Sequence, residues 1–139
     1  AFSGREVGWL MTCPAVTYPA TTYVTEALRA YFVRYRHAAF PVLENARFLG
    51  LITAGDLDRV LAGERDTVEV GTLTTYEPGL VVDEHQDIAD LLERPEFQRV
   101  GRAVVVTSDG RLGIISITDV QWVQRALELG GFLPQAGTA

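Results

Sequence analysis

The strongest constraint on the fold is an internal repeat, because the second half of the chain follows the pattern of the first. Residues 50–56 (Gly-Leu-Ile-Thr-Ala-Gly-Asp) return as residues 113–119 (Gly-Ile-Ile-Ser-Ile-Thr-Asp), at an offset of 63. The same offset relates residues 7–12 to 70–75, and an offset of 64 relates 24–28 to 88–92. Such a repeat indicates two copies of one supersecondary unit that bury their apolar faces together.

Each repeat is predicted to read strand, helix, strand, strand, helix. In the first repeat, apolar side chains from Val24 onward recur at helical spacing, and either Thr21 or Thr22 can cap that helix. The other elements of this repeat are strands over 15–18, 40–43 and 48–53 and a helix over 56–61. The second repeat has strands over 79–82, 102–107 and 112–117, a helix over 87–94 and a last helix over about 118–129, capped by Thr118.

This element order predicts an α+β fold, α/β-like in its alternation, in which the two repeats pack with pseudo-two-fold symmetry. The repeats occupy residues 7–62 and 70–129, with a polar linker over 63–69 and a loose tail over 130–139. One repeat alone has too small a core to be stable, so we expect the two to pack face to face.

Composition narrows the class of protein. The chain has 139 residues, a net charge of −6 and a pI of about 4.8, which disfavours a general nucleic-acid binder. Cys13 is the only cysteine, which excludes an intrachain disulfide and a cysteine-based zinc site and suits a reducing, cytoplasmic compartment. No apolar run approaches the roughly 20 residues of a membrane span. Because the sequence begins at Ala1 without a signal-like pattern, we expect a piece of a longer protein.

Four stretches together resemble a tandem pair of CBS domains. These are residues 7–14 (Val-Gly-Trp-Leu-Met-Thr-Cys-Pro), 40–43 (Phe-Pro-Val-Leu), 50–56 and 113–119. The second repeat departs from the pattern, with Thr74 where Met is usual and Val104 where Pro is usual. The resemblance implies a non-catalytic regulatory module that binds an adenosyl nucleotide, either AMP, ADP, ATP or S-adenosylmethionine, in a cleft between its repeats and controls an attached domain.

A narrower resemblance concerns residues 34–42 (Arg-Tyr-Arg-His-Ala-Ala-Phe-Pro-Val), which look like the first CBS repeat of some bacterial site-2-protease-like intramembrane zinc metalloproteases. The His-Glu-x-x-His motif of such proteases is absent from this sequence. The resemblance therefore implies only the regulatory part of such a protease, on the cytosolic face of the membrane.

The candidate binding residues follow from the resemblance and from the helix starts. Asp56 and Asp119 would accept hydrogen bonds from a ribose diol, although a first-turn Asp also simply complements the helix dipole. Several hydroxyls and one guanidinium are candidates to bind the phosphates of the nucleotide. The alternative role of the hydroxyls is to cap a helix or to occupy a polar turn. These candidates are Thr12, Thr53, Thr75, Arg102, Ser116 and Thr118. Because Gly55 stands where the second repeat has Thr118, we expect Asp119 to mark the occupied site.

No residue is predicted to be catalytic or to bind a metal, and no cofactor is required. His37 and His85 are isolated in sequence, which disfavours a catalytic or metal-binding role. Arg36, like Arg102, is a candidate to bind the phosphate of a nucleotide. An apolar stripe around Trp122 on the last helix predicts a homodimer through helices. Two alternatives stay open: a nucleotide-free module that only dimerises a larger protein, and a small enzyme that uses Asp119 and His85.

Overall fold

The computed structural model describes residues 4–32 and 39–130, with side chains for all of these except 30–32. The described chain forms two compact units. The central unit comprises Ala15–Glu77, and the terminal unit joins the segment that ends at Pro14 to the segment that begins at Pro78. The units therefore have different limits from the sequence repeats 7–62 and 70–129, which remain a prediction about how the chain is divided.

The central unit is built on a three-stranded sheet of order β1-β2-β3, with β1 parallel and β3 antiparallel to the middle strand. A two-residue turn joins β2 to β3, with positive φ at Asn45 and Ala46. The elements are β1 Tyr18–Pro19, α1 Val24–Glu26, a π-helical continuation Ala27–Phe32, β2 Ala39–Glu44, β3 Arg47–Thr53, α2 Ala54–Asp58, and the 3-10 turns Ala62–Glu64 and Val70–Thr72.

The start of α1 differs from the sequence prediction of a threonine cap. Its N-cap is Tyr23, which makes no side-chain capping bond, and Thr22 is buried just before it. The first helical N–H groups donate instead to backbone carbonyls, from Val24 to Val68 (3.0 Å) and from Thr25 to Arg65 (3.0 Å). Because these donors are satisfied by the returning chain, no side-chain cap is needed.

The terminal unit repeats the sheet topology, with order β4-β5-β6, β4 parallel and β6 antiparallel to β5. Its elements are the 3-10 turns Val7–Trp9 and Pro78–Leu80, β4 Val81–Asp83, α3 Ile88–Leu92, α4 Pro95–Val100, β5 Arg102–Val106, β6 Leu112–Ser116 and α5 Ile117–Glu128. The predicted α+β class is confirmed: two three-stranded sheets with short helices.

Helix α4 was not predicted, since the sequence indicated a single helix over 87–94. Pro95 occupies its first turn, where a missing N–H removes no helical hydrogen bond. Gly101 ends it in the left-handed conformation, with φ of 82°. Pro95 therefore starts a second short helix instead of only marking the end of the first.

Each unit has its own apolar core. In the central unit the Tyr18 ring stacks on that of Phe40, with centroids 4.8 Å apart, among buried aliphatic side chains. In the terminal unit the middle of β5 is buried on both faces, and Phe97 of α4 is fully buried. No helix in the described parts of the chain is both long enough and apolar enough to cross a bilayer.

Candidate functional site

The segment that begins the first repeat lies along the last strand of the second repeat. Thr12 and Ile114 of β6 exchange two backbone hydrogen bonds, from Thr12 N to Ile114 O (2.8 Å) and from Ile114 N to Thr12 O (2.9 Å). Further upstream, Val7 N donates to Gln86 O and Gly8 N donates to Glu84 O. Residues 4–14, here called the first leading segment, thus extend the terminal unit instead of the repeat that they begin.

The second leading segment, residues 70–77, makes the corresponding contacts in the central unit. Thr75 bridges Leu51 of β3, whose N–H donates to the Thr75 carbonyl over 3.3 Å. The glycine that opens each sequence signature lies at this crossing. A Cβ at Gly50 would collide with the Thr75 carbonyl oxygen, and one at Gly113 would lie 3.1 Å from the Thr12 carbonyl oxygen. The signature glycines therefore let each leading segment approach its strand.

The crossing brings three predicted site residues to one accessible face of the terminal unit. Thr12 lies opposite Ile114, and Ser116 is two residues further along the same strand, so their side chains share a face. Arg102 lies directly opposite Ser116 on β5 and shares that face too. These side chains are half-buried or exposed, whereas Gly113 and Ile115 on the other face are buried.

Helix α5 adds two more predicted residues, but its cap is not the predicted one. The N-cap is Ser116, whose Oγ accepts from Asp119 N (3.2 Å), and the helix begins at Ile117. Thr118 and Asp119 are exposed in the first turn. The prediction of Thr118 as the cap is wrong because β6 ends at Ser116, which leaves a hydroxyl at the residue where the chain turns helical. Thr12, Arg102, Ser116, Thr118 and Asp119 form what we call the terminal half-site.

The corresponding set in the central unit, Thr53, Asp56 and Thr75, is called the central half-site. Thr53 is the N-cap of α2, and its Oγ1 accepts from Asp56 N (3.1 Å). The Asp56 carboxylate closes a capping box, because Oδ2 accepts from Thr53 N (2.8 Å). Its Oδ1 accepts from the guanidinium of Arg59 (2.9 Å). The helix starts at Ala54, two residues before the predicted start.

The two half-sites share a backbone plan but differ in chemistry. At the repeat offset, Ala39 stands where the terminal half-site has Arg102, and Gly55 stands where it has Thr118. The Asp119 carboxylate also has no hydrogen-bond partner among the described residues, whereas both oxygens of Asp56 are engaged. The terminal half-site therefore offers a guanidinium and two hydroxyls on one face of the sheet, and a third hydroxyl and a carboxylate in the first turn of α5.

The guanidinium of Arg102 is not free in this arrangement. Its Nη1 donates to the carbonyl of Gly101 over 2.9 Å, while Gly101 O also accepts from Ile117 N. This contact holds the side chain beside the start of α5. A phosphate could replace it, because the guanidinium has five N–H groups and the carbonyl keeps its other donor.

His85 lies in a separate cluster. Its Nδ1 is 3.1 Å from Glu6 Oε1 and its Nε2 is 3.5 Å from Glu84 Oε1, and Ser108 donates to Glu84 through both its backbone N–H and its hydroxyl. The hydrogen bond to Glu6, and then the Glu6 charge, raise the pKa of His85. The two bonds from Ser108 lower the pKa of Glu84. An open pocket of about 450 Å³ lies between this cluster and Trp9.

Sequence reasoning missed two features of these sites. The Asp56–Arg59 pair has a signal in the i,i+3 spacing on a helix, but the Glu6–His85 contact joins residues 79 positions apart and leaves no trace in the sequence pattern. Arg36 and His37 lie outside the described residues. Within those residues, no three His, Cys, Asp or Glu side chains are grouped so that they could hold a metal ion.

Comparison with known proteins finds a family resemblance over part of the chain. Residues 5–63 match the sequence model of the CBS domain family. This part of the chain is therefore similar to a CBS domain. The comparison with curated proteins returned no match.

Several solved structures share the fold of this chain over most of its length. The crystal structure of CBSX2 in complex with AMP is 27% identical, with a TM-score of 0.70, and covers 91% of this chain and 99% of that one. The CBS domain of a bacterial CNNM/CorC family Mg²⁺ transporter in complex with ATP is 22% identical (TM-score 0.72; 91% and 89% covered). A hemolysin-like protein containing a CBS domain, from Oenococcus oeni PSU, is 21% identical (TM-score 0.70; 85% and 88% covered).

Proposed function

We propose that the protein is a tandem CBS pair that works as a ligand-sensing regulatory module and binds an adenosyl nucleotide at the terminal half-site. The observation that carries this proposal is the pairing of Thr12 with β6, which puts Thr12, Ser116 and Arg102 on one face. Helix α5 begins directly after Ser116, and the carboxylate of Asp119 in its first turn is not engaged by the described residues. Structural relatives that hold AMP and ATP support an adenosyl ligand.

Each residue has a role that its chemistry suits. The Asp119 carboxylate accepts hydrogen bonds from both hydroxyls of a ribose, because its two oxygens can receive two donors. Arg102 gives the phosphate a planar, permanently charged partner. The hydroxyls of Thr12, Ser116 and Thr118 donate to phosphate oxygens at the start of α5, where the helix dipole also favours an anion.

The central half-site would be the second and weaker position for a nucleotide. Thr53, Asp56 and Thr75 reproduce the plan of the terminal half-site, but this unit has Ala39 and Gly55 in place of the guanidinium and the third hydroxyl. A phosphate bound there would lack an equivalent of Arg102, and Arg59 is already paired with Asp56, so we expect lower affinity.

As a regulatory module, the protein would carry no catalytic residue of its own and would act on an attached domain in the cytoplasm. The resemblance of residues 34–42 makes an intramembrane zinc metalloprotease our candidate for that domain. A ligand can control an attached domain only if it binds two arrangements of the module with different affinities.

A nucleotide-free dimerisation module is the second candidate function. Trp122 on α5 is 66% exposed and Leu129 at its end is 78% exposed, which is more apolar surface than a helix in a monomer needs to leave in water. We expect a homodimer through this helix under either function. Light scattering that gives the 15.3 kDa monomer at every concentration would contradict the dimer.

Thermal unfolding with and without nucleotide separates the two functions. AMP, ADP, ATP and S-adenosylmethionine are compared with adenine-free ribose 5-phosphate as the control. A ligand at 100 times its Kd stabilises the folded protein by about 2.7 kcal/mol. Calorimetry, repeated with a chelator, should give the same Kd because no metal is involved. Absence of any nucleotide effect would refute the sensing function and favour the dimerisation module.

A further inference from the structure

We propose that Arg59 acts as an internal competitor for the carboxylate of Asp56, so that a nucleoside binds the central half-site more weakly. This inference rests on the proposed nucleotide function and names how that function comes to favour one half-site. It starts from the contrast between two aspartates that occupy the same place in the two sequence signatures.

The geometry of Asp56 shows a carboxylate whose two oxygens are both in use. Oδ2 accepts from Thr53 N over 2.8 Å, and Oδ1 accepts from Arg59 Nη1 over 2.9 Å. The Asp56 side chain is 24% exposed, so the carboxylate is partly accessible but already bound. A ribose diol would use the same oxygens. Each oxygen keeps a further lone pair, so the two bonds do not exclude the diol, but the Arg59 guanidinium occupies one direction of approach to Oδ1 and competes with it.

The terminal unit lacks this arrangement at the matching positions. Asp119 N donates to Ser116 Oγ, as Asp56 N does to Thr53, but no bond returns to the Asp119 carboxylate from the described residues. The residue three positions after Asp119 is Trp122, which cannot pair with a carboxylate as Arg59 does. The two units therefore differ at the residue that contacts the carboxylate, and Arg59 is the reason why the Asp56 carboxylate is engaged on Oδ1.

Gly55 lies beside the pair. A Cβ at this position would lie 3.8 Å from Nη2 of Arg59 and 3.7 Å from Oγ1 of Thr53, which is ordinary van der Waals contact. The engagement of Asp56 therefore depends on Arg59 itself and not on the missing side chain at Gly55.

The test measures binding to the central half-site after the terminal one has been disabled by Asp119→Ala. Arg59→Gln is added to that protein, and Arg47→Gln is the matched control, because Arg47 is an exposed arginine of the same unit with no partner among the described residues. Adenosine is the main probe, since it is neutral and does not respond to the charge of Arg59. AMP is measured in parallel by calorimetry.

We expect Arg59→Gln to raise adenosine affinity about 1.7-fold, the change that corresponds to about 0.3 kcal/mol for an exposed i,i+3 pair. Arg47→Gln should leave it unchanged. Equal adenosine affinity in the Arg59 variant and its parent, including no binding in either, would overturn the inference. So would weaker AMP binding with unchanged adenosine binding, because Arg59 would then be a phosphate ligand. Failure of the unmodified protein to bind AMP would instead refute the proposed function.

Discussion

Asp56 and Asp119 have the same place in the sequence but should differ in what their removal changes. In Asp56→Ala the protein loses the bond from Thr53 N (2.8 Å) and the ion pair with Arg59 (2.9 Å). In Asp119→Ala it loses no hydrogen bond to the carboxylate among the described residues. We therefore expect the first substitution to lower the free energy of unfolding and the second to weaken nucleotide binding.

The magnitudes follow from the contacts. Loss of a capping bond costs about 1 kcal/mol, and an i,i+3 ion pair adds about 0.3–0.5 kcal/mol. Because the Arg59 side chain is 77% exposed, the ion pair is screened and the lower figure applies. These two contacts make Asp56→Ala cost about 1.3 kcal/mol, in addition to the helix-dipole interaction that both aspartates have. Asp119→Ala loses only its interaction with the helix dipole, roughly 0.3–1 kcal/mol.

Binding should show the opposite order. A ribose diol that loses its acceptor in the terminal half-site is left with unsatisfied hydroxyls, which costs about 1–3 kcal/mol. That corresponds to a Kd for AMP that is roughly 5- to 150-fold weaker in Asp119→Ala. Asp56→Ala should leave the Kd for AMP at the terminal half-site nearly unchanged.

Urea unfolding at pH 7 and calorimetry with AMP on both variants test this division of roles. The m-value must stay constant for the midpoints to report stability. An Asp119→Ala protein as destabilised as Asp56→Ala would show that the first-turn carboxylate has a structural partner. Unchanged AMP affinity in Asp119→Ala would remove its ribose role.

Three further predictions concern single contacts. Ser116→Ala should cost about 1 kcal/mol in urea unfolding and Thr118→Ala less than about 0.5 kcal/mol, since only Ser116 is the cap; the reverse order would restore the predicted cap. Gly113→Ala should cost about 1–3 kcal/mol and weaken AMP binding, because its Cβ would meet the first leading segment; a neutral effect would show that this segment yields. Glu6→Gln should lower the pKa of His85 toward 6.5 in an NMR titration, and an unchanged pKa would exclude Glu6 as the cause of the raised value. In the unmodified protein, the stability from this contact is present below pH 6.5 and is lost as pH rises through the raised pKa of His85.

The sequence predicted the antiparallel strands well because their signals are local and occur twice. The short parallel strands were displaced, since the strand predicted over 15–18 is Tyr18–Pro19 and the one predicted over 79–82 is Val81–Asp83. The strands over 102–107 and 112–117 were correct to within one residue at each end, since apolar residues flank the Asp109-Gly110 turn. The helix starts were predicted less well. Residues 116–119 offer two hydroxyls within three positions, and only the end of β6 decides that Ser116 is the cap. At α1 the threonine signal was overridden by backbone carbonyls from 40 residues further along the chain.

The sequence named the candidate residues of the site but not how their side chains are engaged. The family resemblance, the helix starts and the guanidinium of Arg102 made all five members of the terminal half-site candidates, and strand register shows that three of them share a face. The engagement of Asp56 by Arg59 depends on a side-chain rotamer, which a residue pattern does not report. The sequence ranking of Asp119 over Asp56 rested on one additional hydroxyl, whereas the structure adds the difference between a free and an occupied carboxylate.

The partner of the first leading segment illustrates a limit that any repeat protein imposes on such reasoning. Leu51 and Ile114 occupy equivalent positions in β3 and β6, so the pattern around Thr12 fits either strand. Thr12 lies 39 residues from Leu51 but 102 residues from Ile114, with which it pairs. Closing the longer loop costs only about 0.8 kcal/mol more, because each doubling of length adds about 0.6 kcal/mol. The bonds from Val7 to Gln86 and from Gly8 to Glu84 do not decide the pairing either, because Val70 and Gly71 make the equivalent bonds in the central unit. The small cost of loop closure therefore shows only that proximity in sequence does not assign Thr12 to the half-site of Asp56.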